Sequence, residues 1–247
     1  MLPYLLDLAI AAIPGCVWLW IFYRKDRFEP EPKQLIFLAF FLGGALVPLQ
    51  VFLSSAIDPS NLNIWLTTFY AQDVAVALSE EALKGIVLYL VFYRHKEFNE
   101  PMDGIVYGAS IGIGFATFEN ALFMIHHGRE VLLSRMLLST TLHVACSSLF
   151  GYALGRLKFV RRSNRLLPIE GYMAAVGVHA LFDAVSSFGR AADNPCIDLV
   201  CLAALLILVF ALLHTLEIKV DDALRRSPFR PIQLGRKKKP GRNPDGQ

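Results

Sequence analysis

The chain alternates between long apolar runs and short polar segments. Each run is close to, or longer than, the roughly 20 residues that a helix needs to cross the hydrocarbon core of a bilayer. Clusters of charge, proline and glycine, which end helices, separate the runs. The pattern predicts seven membrane spans. They are about Leu2–Tyr23, Gln34–Ile57, a stretch within Ile64–Tyr93, Gly104–Ile125, Val131–Leu154, Leu167–Phe188 and Cys196–Ile218.

Composition supports a membrane protein rather than a soluble domain. Of 247 residues, 55% are hydrophobic and 18% are charged, and soluble domains carry more charge. The short alternating segments of a transmembrane barrel are missing, so we expect an all-α, polytopic transmembrane helix bundle. The four cysteines form no CxxC pair, and we interpret them as packing residues.

The basic residues indicate an orientation. Apart from Lys84, the 24 lysine and arginine residues lie mostly in the segments that follow the first, third, fifth and seventh spans. The other loops hold Arg129, Arg135 and Arg190. Basic segments stay in the cytoplasm, so the N-terminus is predicted outside and the C-terminus inside.

Two regions follow from this reading. Residues 1–220 form the transmembrane domain. Residues 221–247 form a basic cytoplasmic tail that we expect to be disordered. The tail cluster at 236–239 could bind anionic lipid of the bilayer, but we interpret it as a solvated topology anchor. No other feature supports a nucleic-acid partner.

Three charged residues interrupt the third apolar run within five positions: Glu80, Glu81 and Lys84. A charge at the bilayer centre costs roughly 2.5–3.5 kcal/mol on insertion scales, so such residues are usually functional. On a helix, Lys84 shares a face with Glu80 and lies three residues from Glu81. It can therefore offset one carboxylate and leave the other available.

The next three spans also carry ionisable groups at membrane depth: Glu119, His143, and the pair His179 and Asp183. His179 and Asp183 are four apart and share a helix face, so Asp183 can orient the imidazole. A single intramembrane histidine is usually a hydrogen-bonding residue between helices. Acids or histidines on four consecutive spans indicate a shared site.

Two hydrolytic mechanisms remain open for such a set. In one, a glutamate acts as general base on a water molecule, with the histidines stabilising the oxyanion. In the other, His143, His179 and Glu81 bind Zn²⁺, which acidifies a bound water. The HExxH pattern is absent, so the sequence does not require a metal.

Several motifs resemble one known family. Glu80-Glu81-Ala82-Leu83-Lys84 resembles the EExxK signature of the PrsW family of bacterial intramembrane proteases. The loop from Asp26 to Pro32 resembles that family's acidic, proline-rich loop. The resemblance covers about residues 24–188. Its remaining blocks are Asp103–Gly108, Gly114–Ala116, Glu119–Asn120, His143 and the His179–Asp183 pair.

The resemblance implies a multi-pass endopeptidase of the bacterial cytoplasmic membrane. Its substrate would be a membrane-anchored protein, with anti-sigma factors as the family's substrate class and the cut as the first step of a signalling cascade. Glu80, Glu81, His179 and then His143 are the implied catalytic residues. Three further residues support them: Glu119, Asp183 and Lys84.

Two features differ from the related CAAX prenyl endopeptidases. Lys84 stands one position before the arginine of their EExxxR motif, and Glu119 stands where their FxxxH block has a histidine. A prenyl-protein substrate is therefore not expected. The alternative to a protease is a non-catalytic membrane protein or an ion- or proton-coupled transporter that uses the same buried groups.

Overall fold

The computed structural model describes residues 2–56, 69–129, 132–160 and 164–231. All regular structure in these ranges is helical, which confirms the all-α part of the predicted fold class. We number seven helices. They are α1 (Leu2–Lys25), α2 (Lys33–Ala56), α3 (Phe69–Val87 with a π-helical turn at Leu88–Phe92), α4 (Pro101–His127), α5 (Leu132–Ser134, a π-helical turn at Arg135–Ser139, then Thr140–Phe159), α6 (Leu167–Ala192) and α7 (Pro195–Arg225).

Five of these helices are long and apolar enough to cross a membrane. The remaining two, α3 and α6, are less apolar because they carry the ionisable groups noted above. The chain is therefore a multi-pass membrane protein by the length and composition of its helices. The beginning of the predicted third span lies outside the described residues. The five stretches are Leu8–Lys25, Lys33–Ser55, Pro101–His127, Arg135–Phe159 and Pro195–Arg225.

Helix α4 is the centre of the bundle. Most of its residues are buried, and α1, α2, α3, α5 and α7 all pack against it. Helix α7 lies at the periphery, where large apolar side chains such as Leu199 and Phe210 are exposed. An apolar outer surface is what a protein solvated by lipid requires.

Helices α4 and α5 approach until their backbones touch. A Cβ atom added at Gly104 would lie 2.1 Å from the carbonyl oxygen of Gly151, and one at Gly112 would lie 2.5 Å from that of His143. Small residues at four-residue spacing on α4 permit this close packing. The contact at Gly112 holds the backbone of His143 against the central helix.

The start of α4 is fixed by its own acid. Asp103 Oδ2 accepts hydrogen bonds from the backbone amides of Asn99 at 2.5 Å and Glu100 at 2.7 Å, as in a capping box. The loop between α1 and α2 packs beside it, where the Tyr107 hydroxyl donates to Glu31 Oε2. The beginning of the central helix is thus joined to the α1–α2 loop.

Candidate active site

Helix α3 presents Glu80, Glu81 and Lys84 to the interior, and all three side chains are buried. Lys84 Nζ donates to Glu81 Oε1 at 2.5 Å, while Glu80 Oε2 lies farther away at 4.0 Å. The ammonium group therefore pairs closely with Glu81. Glu80 Oε2 has no hydrogen-bond partner among the described residues.

Helix α6 brings His179 to the same point. Its Nδ1 lies 2.8 Å from Glu81 Oε1, and its Nε2 lies 3.4 Å from Asp183 Oδ2. With Nδ1 donating to Glu81, the lone pair of the ring is on Nε2. Glu81 therefore fixes the orientation of the imidazole, a role that the sequence analysis gave to Asp183.

Helix α5 supplies the second imidazole, His143. Its Nε2 lies 3.1 Å from Glu119 Oε2 on α4, and its Nδ1 lies 3.0 Å from Lys84 Nζ. The rings of His143 and His179 are nearly perpendicular, with centroids 5.0 Å apart. Each histidine thus has one nitrogen held by a carboxylate, and Lys84 contacts the second nitrogen of His143.

The remaining nitrogens converge on Glu80. Glu80 Oε2 lies 3.8 Å from His179 Nε2 and 3.9 Å from His143 Nδ1. An unpartnered buried carboxylate oxygen is costly unless a proton, a water molecule or a cation satisfies it. The space between these three atoms is therefore where such a group would bind.

The same three residues fit a metal ion. Glu80, His143 and His179 each offer a ligand atom within 4.8 Å of the others. Two histidines and one carboxylate match the ligand set of many catalytic zinc sites, and both imidazoles already have carboxylate partners. The contact that competes is Lys84 Nζ on His143 Nδ1. Glu80, rather than Glu81 of the sequence analysis, completes this group.

A further residue was missed because it was counted as a loop charge. Arg135, in the π-helical turn of α5, lies 2.5 Å from Glu119 Oε2 and donates to Asn120 Oδ1 at 2.8 Å. Its guanidinium also stacks over the ring of Phe123. The available signal was an arginine inside an apolar run. Arg135 holds the carboxylate that holds His143.

All seven residues selected from the sequence lie in this network, although they come from four helices. Five are buried, whereas Glu119 and Asp183 are partly exposed, with side-chain exposures of 17% and 28%. Lys84 also lies over the Phe115 ring at 4.7 Å. The arrangement can transfer protons between carboxylates and imidazoles, and it can hold a cation.

Comparison with known proteins gives one family. The model of the family described as PrsW family intramembrane metalloprotease matches residues 31–213. Protease PrsW of Bacillus subtilis is 37% identical over 59% of this chain and 66% of that protein. Protease PrsW of Geobacillus kaustophilus is 34% identical over 69% of this chain and 75% of that protein. A Clostridioides difficile protein of the same name is 27% identical over 71% of this chain and 77% of that protein.

No solved structure gives a significant match to this chain. The alignment with the Bacillus subtilis protein covers about two thirds of that relative. The matched range of the family model contains every residue of the candidate site. Membership in a family of this description indicates a peptidase.

Proposed function

Because the chain belongs to the PrsW family of intramembrane metalloproteases, we propose that it hydrolyses a peptide bond of a membrane-anchored protein. The bond would be cut at the site formed by Glu80, His143 and His179. The observation that carries the proposal is the unpartnered Glu80 Oε2, which faces one nitrogen of each histidine. Hydrolysis needs a proton acceptor and oriented polar groups around one water molecule. These three residues can supply both.

In this proposal Glu80 removes a proton from the attacking water as its oxygen bonds to the peptide carbonyl carbon. The Glu80 carboxyl then returns the proton to the nitrogen that leaves when the C–N bond breaks. Proton transfer by a positioned side chain contributes about 10²–10⁴-fold in rate. In their doubly protonated forms, His179, oriented by Glu81, and His143, oriented by Glu119, donate their second N–H groups to the developing oxyanion.

A divalent metal fits the same residues. Glu80, His143 and His179 would hold it, with Glu81 and Glu119 as the partners of the two imidazoles. When bound, Zn²⁺ would lower the pKa of a water ligand and polarise the peptide carbonyl. Lys84 balances the negative charge of Glu81 in either case. The description of the family supports a metal-assisted reaction.

The proposed substrate is a single-span regulatory protein, with an anti-sigma factor as the class that the family resemblance implies. The cut would be the first of a signalling cascade in the bacterial cytoplasmic membrane. Support comes from the position of the site, which lies in helices flanked by membrane-length apolar stretches. A substrate that reaches this depth must itself be inserted in the bilayer.

We also propose that α3 and α6 cross the membrane, which gives seven spans with the N-terminus outside. Both helices pack between helices that are long and apolar enough to cross. The distribution of basic residues supports the orientation. A fluorescent protein fused to the C-terminus should fluoresce, whereas a periplasmic phosphatase fused there should be inactive. The reverse result would contradict the orientation.

The proposed activity is tested by co-expression with candidate single-span substrates. His179→Ala and His143→Ala should abolish cleavage while the protein still accumulates in the membrane. His214→Ala on α7, where the side chain is exposed, is the matched control and should cleave normally. Loss of cleavage in 1,10-phenanthroline with recovery on added Zn²⁺ would identify the metal-assisted reaction, and unchanged cleavage would identify the metal-free one. Normal cleavage by both site variants would refute the assignment.

A further inference from the structure

A second group of acids lies at the end of the bundle where the α1–α2 loop meets the start of α4. Glu29, Glu31 and Asp103 each place one carboxylate oxygen within 4.8 Å of the others. Glu31 and Asp103 are 2% and 0% exposed, and Glu29 is half-buried. We call these three residues the loop cluster. They share no residue with the candidate active site.

The oxygens of the loop cluster are only half satisfied. Glu31 Oε2 accepts from the Tyr107 hydroxyl, and Asp103 Oδ2 accepts from two backbone amides. Glu31 Oε1 and Asp103 Oδ1 have no hydrogen-bond partner, and the same holds for Oδ1 of the neighbouring, buried Asp26. Buried carboxylate oxygens of this kind are normally paired, protonated or bound to a metal.

No described lysine, arginine or histidine forms a close ion pair with the cluster. None of their ion pairs involves Glu29, Glu31 or Asp103. Lys158 is close by, but its ammonium donates to the carbonyl oxygens of Tyr93 and Phe98, each at 2.7 Å. Among the described residues, the three carboxyls, two of them buried, therefore have no directly paired counter-charge.

We propose that the loop cluster binds a hard divalent cation that fastens the α1–α2 loop to the first turn of the central helix. Carboxylate oxygens are the preferred ligands of Ca²⁺ and Mg²⁺. Two oxygens on one ion lie at most twice the metal–oxygen distance apart, about 4.6–5.2 Å for Ca²⁺ and about 4.0–4.2 Å for Mg²⁺. The observed spacing of under 4.8 Å is within reach of Ca²⁺, and a small inward shift suits Mg²⁺.

Electrostatics agree with this geometry. Burial, together with the neighbouring Asp103 carboxylate, raises the pKa of Glu31 well above its usual range. Without a cation, the site is therefore partly protonated. Binding of a cation would release those protons, as metal binding to acidic ligands generally does.

The test is calorimetric titration of the full chain in detergent, after chelator is removed, with Ca²⁺ in one series and Mg²⁺ in another. We expect about one cation per chain. Glu31→Gln and Asp103→Asn keep the hydrogen-bond acceptors and should weaken binding at least tenfold. Glu80→Gln at the candidate active site and Glu170→Gln at an exposed position should bind as the wild type does. The series with the tighter isotherm identifies the ion.

Thermal unfolding in the same detergent provides a second readout that does not involve proteolysis. The cation should raise the unfolding midpoint of the wild type and of Glu80→Gln but not that of Glu31→Gln. Equal isotherms for wild type, Glu31→Gln and Asp103→Asn would overturn the proposal. Failure of both cations to bind up to about 1 mM, the weak end of protein calcium sites, would overturn it too and would indicate that the carboxyls share a proton.

Discussion

The two adjacent glutamates of α3 should fail in different ways when each is replaced by glutamine. Glu81 Oε1 contacts Lys84 Nζ at 2.5 Å and His179 Nδ1 at 2.8 Å, in a buried position. Removing one partner of a buried ion pair costs about 3–5 kcal/mol, because the other charge remains unpaired. We expect Glu81→Gln to lower the free energy of unfolding by that amount and to abolish cleavage.

Glu80→Gln should abolish cleavage without that loss. Glu80 Oε2 lies 4.0 Å from Lys84 and makes no hydrogen bond. The glutamine amide would therefore replace a carboxylate that contributes little to the stability of the fold. The stability change should stay within about 1 kcal/mol, typical of substitutions that break no buried network. The rate should fall by about 10²–10⁴-fold, the contribution of a general base.

Unfolding in mixed micelles with increasing SDS measures the stability of each variant, and immunoblotting of a co-expressed substrate measures the rate. Glu170→Gln, at an exposed position on α6, is the control and should behave as the wild type in both assays. The reasoning is refuted if Glu80→Gln cleaves at the wild-type rate. It is also refuted if the two α3 variants are equally destabilised.

Three further outcomes are expected. Arg135→Gln removes the guanidinium that pairs with Glu119 at 2.5 Å. The cleavage rate should then fall about 10–100-fold, as it does when other hydrogen-bond partners of ligating residues are removed. An unchanged cleavage rate with normal protein levels would contradict this role. Gly104→Ala places a methyl group 2.1 Å from a backbone oxygen and should lower the free energy of SDS unfolding by about 1–3 kcal/mol or more. In the control Gly177→Ala, the added methyl group meets no atom within 4 Å. That variant should be neutral or stabilised by up to about 1 kcal/mol. In the presence of chelator, the free energy of unfolding should fall as pH rises from about 4 to about 8. The reason is that burial raises the pKa of Asp26 from 3.8 to about 8, so the folded state favours the protonated carboxyl. Denaturation at about pH 5 and about pH 8 measures the direction of this change.

The helices and the site were largely predictable because both depend on strong local signals. An apolar run of membrane length specifies a helix, and a charge within it is expensive enough to require a partner. Glu80, Glu81 and Lys84 were therefore identified without any knowledge of what they contact.

Which carboxylate contacts which histidine could not be predicted from the spacing of these residues along the sequence. Helical periodicity placed Asp183 on the His179 face, but α6 packs against α3, so Glu81 takes the closer contact at 2.8 Å. Glu81 is consequently occupied, and Glu80 keeps the unpartnered oxygen. Which of two adjacent acids stays available is decided by interhelical packing, which the sequence of one helix does not contain.

The role of Arg135 was hidden for a similar reason. Counting basic residues treats every arginine as a mark of topology, and Arg135 lies near a predicted helix end. In the structure, the backbone is π-helical there, and the guanidinium contacts Glu119 and Asn120 on α4. π-Helical turns are frequent at functional sites, but nothing in the residues at 135–139 predicts one.

The backbone contact between α4 and α5 restricts how a polypeptide can reach the catalytic groups. Two helices whose carbonyl oxygens touch the opposite main chain cannot slide or separate without losing that fit, so they act as a rigid wall behind His143. Helices α3 and α6 meet instead through side chains, such as the Tyr172 hydroxyl on the carbonyl oxygen of Leu78. Under the proposed function, an extended segment awaiting cleavage would therefore not pass between α4 and α5.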